Sequence, residues 1–177
     1  SYSYMKNITF EEAIAYTEDL LSRHNLDDTQ LELQIAELVQ TTNGARGFFV
    51  CLLTGEWQLA DAPNASVIRA LQAHPHAIAE LLIKNLVMST AMAITHHRAE
   101  NLEQAEGSNR VSKRTALLIE KVDLPEVRTI ATQVYDAALT NTGEYVAFLE
   151  KWGYDVEQKQ AIANVLAQIL DQVSANA

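Results

Sequence analysis

The chain carries one cysteine, Cys51, in 177 residues. That excludes an intramolecular disulfide framework and a zinc cluster built from several cysteines of one chain. Three prolines and six glycines are too few turn formers for a sandwich of short strands, whose many tight connections consume them. Basic residues are scarce, 13 against 23 acids for a formal net charge of -10. This is the reverse of the positive surface that neutralises phosphates, so no nucleic acid is expected as a partner. There is no Gly-rich phosphate loop, no His-Glu-x-x-His, and no Glu-x-x-His pair of the di-iron kind. Neither a metal nor a cofactor is expected. Residues 1–6 lack the charged, then apolar, then small-residue order of a secretory peptide. The longest apolar stretch, 77–94, is interrupted by Glu80, Lys84, Asn85, Ser89 and Thr90, which reads as too polar for a membrane span. A cytoplasmic protein that meets no membrane is the expectation.

What is abundant is apolar residues at a period of 3.6. Thr9-Phe10-Glu11-Glu12 has the form of a capping box, and Phe10, Ala13, Ile14, Thr17, Leu20 and Leu21 follow it at helical spacing. Leu31, Ile35, Leu38 and Val39 mark a second helix, which Asn43-Gly44 is expected to end. Residues 1–44 thus read as a helical hairpin, with eight acids against two bases, packing on the rest. The apolar run 47–53 is short enough for a buried strand or a buried helix. Its single β-branched residue, Val50, favours a short helix over a hairpin within 47–60. Pro75 suits the first turn of a long helix. With no Gly or Pro between His76 and Gly107, that helix is predicted over about 76–105, apolar nearly all round in its first half and therefore central. Gly107-Ser108 is expected to break the chain, Asp123 to cap the next helix with Pro125 just inside, and Asp155 to cap the last. The fold expected is all-α: a single domain, a bundle of seven or eight helices around the long one.

Three groups of residues invite a chemical reading. Asn85, Ser89 and His96 lie at helical spacing on one face of the long helix. A polar group inside an apolar helix must find a partner or cost about 1–3 kcal/mol, so the stripe is either a structural tie, a ligand-lined pocket or a buried seam between two copies. Arg110, Lys113 and Arg114 follow Ser108 closely; read as the start of a helix, they oppose its dipole and ask for an anion, from a ligand, a partner or nearby Glu100, Glu103 and Glu106. The histidines His74/His76 and His96/His97 would lie about 30 Å apart on one straight helix, too far for one metal site. Cys51, in an apolar run, reads as a small buried hydrophobe.

The stretch Glu80-Leu-Leu-Ile-Lys-Asn-Leu-Val-Met-Ser-Thr-Ala-Met92, with Gly107-Ser-Asn-Arg-Val111 and Arg114-Thr115, resembles a family of small uncharacterised cyanobacterial proteins over residues 44–120. The resemblance implies a bacterial cytoplasmic protein and brings no activity or catalytic residue. The functional expectation is therefore a non-enzymatic interaction or regulatory protein acting as a homodimer, whose further partners are a protein or a small anionic ligand. The alternative is a small-ligand-binding domain with its pocket beside Asn85, Ser89 and His96. An enzyme comes third, because no nucleophile, base and oxyanion donors converge at recognisable spacing.

Overall fold

In the computed structural model, which describes residues 2–175, all regular structure among the described residues is α-helical. Eleven helices occur there, eight of them with seven or more residues. The chain gathers into two compact units, Ser1–Leu81 and Leu82–Ala177.

The first unit holds α1 (Tyr2–Lys6), α2 (Phe10–Ser22), α3 (Asp28–Leu38), α4 (Thr42–Thr54), α5 (Gln58–Asp61), α6 (Ala65–Gln72) and the opening turns of α7 (Pro75–Arg98). The capping box at α2 forms as read: Glu12 N donates to Thr9 Oγ1 and Thr9 N to Glu12 Oε1, both at 3.0 Å. The run 47–53 is helical. Its helix starts earlier than the sequence suggests, because Thr41 Oγ1 accepts from Gly44 N at 3.0 Å and caps α4. Asn43-Gly44 therefore lies in the first turn of α4 rather than closing α3, which stops at Leu38. Helix α2 packs on α4, and α3 on α6. The acidic pair α2 and α3 are joined laterally by Tyr16, whose hydroxyl donates to Gln34 Oε1 at 3.0 Å.

Gly47 explains how α2 and α4 come so close. A Cβ at that position would lie 2.4 Å from Ala13 Cβ and 2.9 Å from the Phe10 carbonyl oxygen. Phe48, Phe49, Leu52 and Leu53 on α4 are then essentially fully buried, together with Ala13 and Leu20 of α2.

The second unit holds the rest of α7, then α8 (Leu102–Val122), α9 (Glu126–Thr140), α10 (Val146–Lys151) and α11 (Val156–Ala175). Leu82, Ile83, Leu86, Val87 and Ala91 of α7 are fully buried, as expected for a helix apolar nearly all round. Three boundaries differ from the sequence reading. The long helix runs over 75–98, not 76–105. It ends in a reverse turn where Glu100 adopts the left-handed conformation (φ 57°). Asn101 N donates to the His96 carbonyl at 2.9 Å, and Glu100 N to the His97 carbonyl at 3.1 Å, the paired bonds of a Schellman ending. Asn101 then caps α8 through Gln104 N. Gly107 and Ser108 sit inside α8, which passes through them without a break. A glycine costs a helix only about 1 kcal/mol relative to alanine, and the burial of Ala105, Thr115, Leu118 and Ile119 along α8 outweighs that. Asp123 is likewise the left-handed residue ending α8 (φ 52°) rather than the cap of α9.

A Cβ at Gly107 would meet nothing within 4 Å. Gly107→Ala is therefore expected to stabilise the protein by about 0.5–1 kcal/mol, read as a rise in the denaturation midpoint. A fall would mean that the helix does break there.

By length and composition α7 is able to cross a membrane, with mean hydropathy 1.5 over an 18-residue window. The expectation that its polar residues exclude a span is corrected to that extent. Core helices of globular domains pass the same test, and half of this window is buried inside the protein.

Candidate functional site

Three polar ties hold α8 and α11 to α7 in the second unit. Ser89 is buried; its hydroxyl donates to the Asn85 carbonyl at 2.7 Å and shares a 2.7 Å hydrogen bond with Ser112 of α8. Gln158 of α11, only 6% exposed, donates from Nε2 to the Ala91 carbonyl at 3.0 Å and to Thr95 Oγ1 at 2.9 Å. The same residue closes a capping box with Asp155: Gln158 N donates to Asp155 Oδ1 at 3.0 Å, and Asp155 N to Gln158 Oε1 at 3.1 Å. One amide side chain thus starts α11 and anchors it to α7.

Arg98, the last residue of α7, makes the third tie. Its Nη1 lies 2.6 Å from Asp155 Oδ2 and its Nη2 3.0 Å from Glu157 Oε1. The Arg98 hydrogen bond, helped by the Gln158 backbone N–H, holds the Asp155 carboxyl below its usual range. The contribution of this pair to stability is present above the ordinary carboxylate range and is lost as pH falls through the lowered value.

Next to these ties lies an open groove of about 600 Å³. Thr90, Ala93, Ile94 and His97 supply the α7 side, Asn109 and Ser112 the α8 side, and Glu157 and Ala161 the α11 side, with Arg98 at the rim. Two alanines and an isoleucine give it apolar surface, while two hydroxyls, an amide, an imidazole, a guanidinium and a carboxylate supply its polar groups. Such a mixture of apolar surface and a few orienting polar groups suits a small ligand or a short partner segment.

The residues singled out from the sequence fall as follows. Asn85 and His96 are half-buried and Ser89 is buried. Ser89 reaches the groove only through Ser112, and the carbonyls of Asn85 and His96 serve the helix and its ending. The basic trio sits in the middle of α8, eight or more residues past its start at Leu102, so the expected clash with a helix N-terminus does not arise. Arg114 is 4% exposed, Lys113 is exposed, and Arg110 and Arg114 are both engaged in contacts of their own. The three do not make one open basic face. Among the described residues no three His, Cys, Asp or Glu side chains gather to hold a metal. Burial pushes the Cys51 thiol up, which disfavours the thiolate needed for nucleophilic chemistry.

Gln158, Ser112, Asn109 and Ala161 were not singled out from the sequence. For Gln158 a signal existed, since Asp155-Val-Glu-Gln158 is a capping-box pattern. The others become meaningful only once three helices are brought together.

Near the start of α11, burial pushes the Tyr154 phenol up to about 12 from an ordinary 10.0. The unfolded chain releases that proton first, so the folded state keeps its full advantage below pH 10 and loses it between about 10 and 12. Denaturation midpoints are expected to fall across that window. Tyr154→Phe is expected to flatten the fall; an unchanged slope would show that another group causes it.

The sequence profile of a family described as uncharacterised conserved protein UCP020893 matches residues 9–169. No curated protein and no solved structure matches the chain.

Proposed function

The chain belongs to this family, whose description carries no activity, and from its own geometry we propose that it is a non-enzymatic interaction protein that receives its target in the groove of α7, α8 and α11. The observation that carries the reading is the groove itself, about 600 Å³ with a mixed lining, set against helices that buried hydrogen bonds hold in register. Rigid walls lower the ordering cost of binding. The buried hydroxyl of Ser89 and the amide of Gln158 act here as supports for the groove rather than as ligand contacts.

Ala161 lines the groove and is half-buried, so Ala161→Trp fills it from the wall. The test is native mass measurement of the protein purified from its own cells. The wild type is expected to retain a ligand or partner segment that Ala161→Trp lacks, with equal helix content in both. The same extra mass retained above each chain's own mass would count against the groove as the binding site.

A homodimeric form is a second reading, favoured by a separate observation. Val156 and Leu102, the first residues of α11 and α8, are 85% and 62% exposed, and Arg98 joins the same end of the unit through Asp155. Sedimentation at rising concentration tests it, with Val156→Glu expected to favour the single chain. A cytoplasmic setting belongs to the same reading, and a cyanobacterial source rests on the resemblance carried by residues 80–92, 107–111 and 114–115.

A further inference from the structure

We propose that the ligand of the groove is a small organic cation, a primary amine on a short apolar body, rather than an anion. This rests on the binding reading above and names the chemistry of its target.

The groove has one guanidinium at its rim, and two carboxylates already hold it: Arg98 Nη1 on Asp155 and Nη2 on Glu157. Two carboxylates against one guanidinium leave an excess of one negative charge beside the groove, with His97 the other titratable side chain of the lining. An anionic ligand would meet the like charges of Asp155 and Glu157, and each Nη of Arg98 already serves one of these two carboxylates. A cation meets the opposite.

Glu157 binds Arg98 through Oε1 and has a second carboxylate oxygen to offer. Asn109 brings an amide oxygen and Thr90 a hydroxyl to the same groove. An ammonium group has three N–H donors and no acceptor, which matches a carboxylate, an amide oxygen and a hydroxyl. Ser112 is less available, because its hydroxyl is already shared with Ser89 at 2.7 Å. Ala93, Ile94 and Ala161 give the carbon chain an apolar floor. Burying each further methylene strengthens binding by about two- to fourfold. The basic residues that suggest an anion from sequence, Arg110, Lys113 and Arg114, belong to α8 but not to this lining.

The test is a titration of the full chain with three six-carbon probes that differ only in the head: hexylammonium, hexanol and hexanoate. Amide shifts in the nitrogen–proton NMR spectrum at low salt report where each binds. Hexylammonium is expected to move the amides of Ala93, Ile94, Asn109 and Ala161, and to bind about tenfold more tightly than hexanol. Hexanoate is expected to bind more weakly than hexanol, and butylammonium more weakly than hexylammonium. Glu157→Gln is expected to weaken the amine by about tenfold. Asn109→Lys is expected to abolish its binding and Asn109→Asp to strengthen it, which keeps the test sharp if Glu157→Gln disturbs α11.

Hexanol or hexanoate binding in the groove as tightly as the amine would overturn the cation while leaving the groove as a binding site. Amine binding that Glu157→Gln, Asn109→Lys and Ala161→Trp all leave unchanged would overturn the proposed location. If none of the three probes moves the groove amides, the cation proposal fails outright. The comparison of purified and Ala161→Trp protein then decides separately whether the groove binds anything else.

Discussion

Gly47→Val is expected to destabilise the protein by about 3 kcal/mol, within the range of overpacked interiors, and to lower its thermal midpoint by about 6–12 °C. The cause is the approach of α4 to α2. A single Cβ at Gly47 would stand 2.4 Å from Ala13 Cβ, 2.9 Å from the Phe10 carbonyl oxygen and 3.0 Å from Ile14 N. Two of these three atoms belong to the backbone of a helix, which no rotamer change can move aside. Gly47→Ala introduces the same clash but gains about 1 kcal/mol of helix propensity, so its net loss is expected to be smaller, about 1–2 kcal/mol. Gly107→Ala makes the same chemical change in open space and is expected to act in the opposite direction. Urea denaturation of the three variants decides the point. Equal effects at the two glycines would mean that propensity alone governs them and that α2 and α4 do not pack so closely.

Gln158→Ala is expected to cost about 2 kcal/mol, as the loss of a buried, hydrogen-bonded amide, and to loosen the groove. The substitution removes both bonds to α7, at Ala91 and Thr95, and half of the capping box at the start of α11. Gln158→Glu separates these two roles. Glutamate is itself a capping-box residue, so the helix start survives. It would nevertheless set a carboxylate against the Ala91 carbonyl where an amide donor stood, and is expected to cost as much as alanine or more. The denaturant midpoint should shift for both variants with little change in slope. Amine binding should weaken in Gln158→Ala, since Glu157 and Ala161 stand on the same turns of α11 as Gln158, whereas the added carboxylate of Gln158→Glu works against that loss. A harmless Gln158→Glu would show that the tie to α7 adds nothing and that capping is the residue's whole role.

The local features were the most legible in the sequence. Thr9 and Asp155 both cap helices where their spacing suggests, because a cap depends on residues three apart and on little else. The run 47–53 resolves to helix for a reason its composition only hints at: Gly44 and Gly47 let α4 press against its neighbours. The boundaries differ where a glycine continues a helix instead of ending it, and at Asp123, which ends α8 instead of capping α9. Asn43-Gly44 and Gly107-Ser108 are both inside helices, while the true reverse turn uses Glu100, a residue with no marked preference for the left-handed conformation. The roughly 1 kcal/mol that glycine costs a helix is small beside the burial of one leucine or isoleucine, so tertiary packing overrides it.

The scarcity of turn formers, the net charge of -10 and the 3.6-residue period were enough to establish an all-helical chain with an acidic surface. Those properties add up residue by residue and do not depend on which helix meets which. The groove is of another kind. Its walls come from residues near 90, 110 and 160, and its charge depends on Arg98 being claimed by two acids nearly sixty residues further on. Arg110, Lys113 and Arg114 illustrate the same limit: their charges are plain in the sequence, but only packing decided that Arg114 lies inside. Spacing along one helix can say which side chains share a face. What stands opposite that face is set by contacts between segments far apart in the chain, and on that depends whether a polar residue ties helices together or greets a ligand.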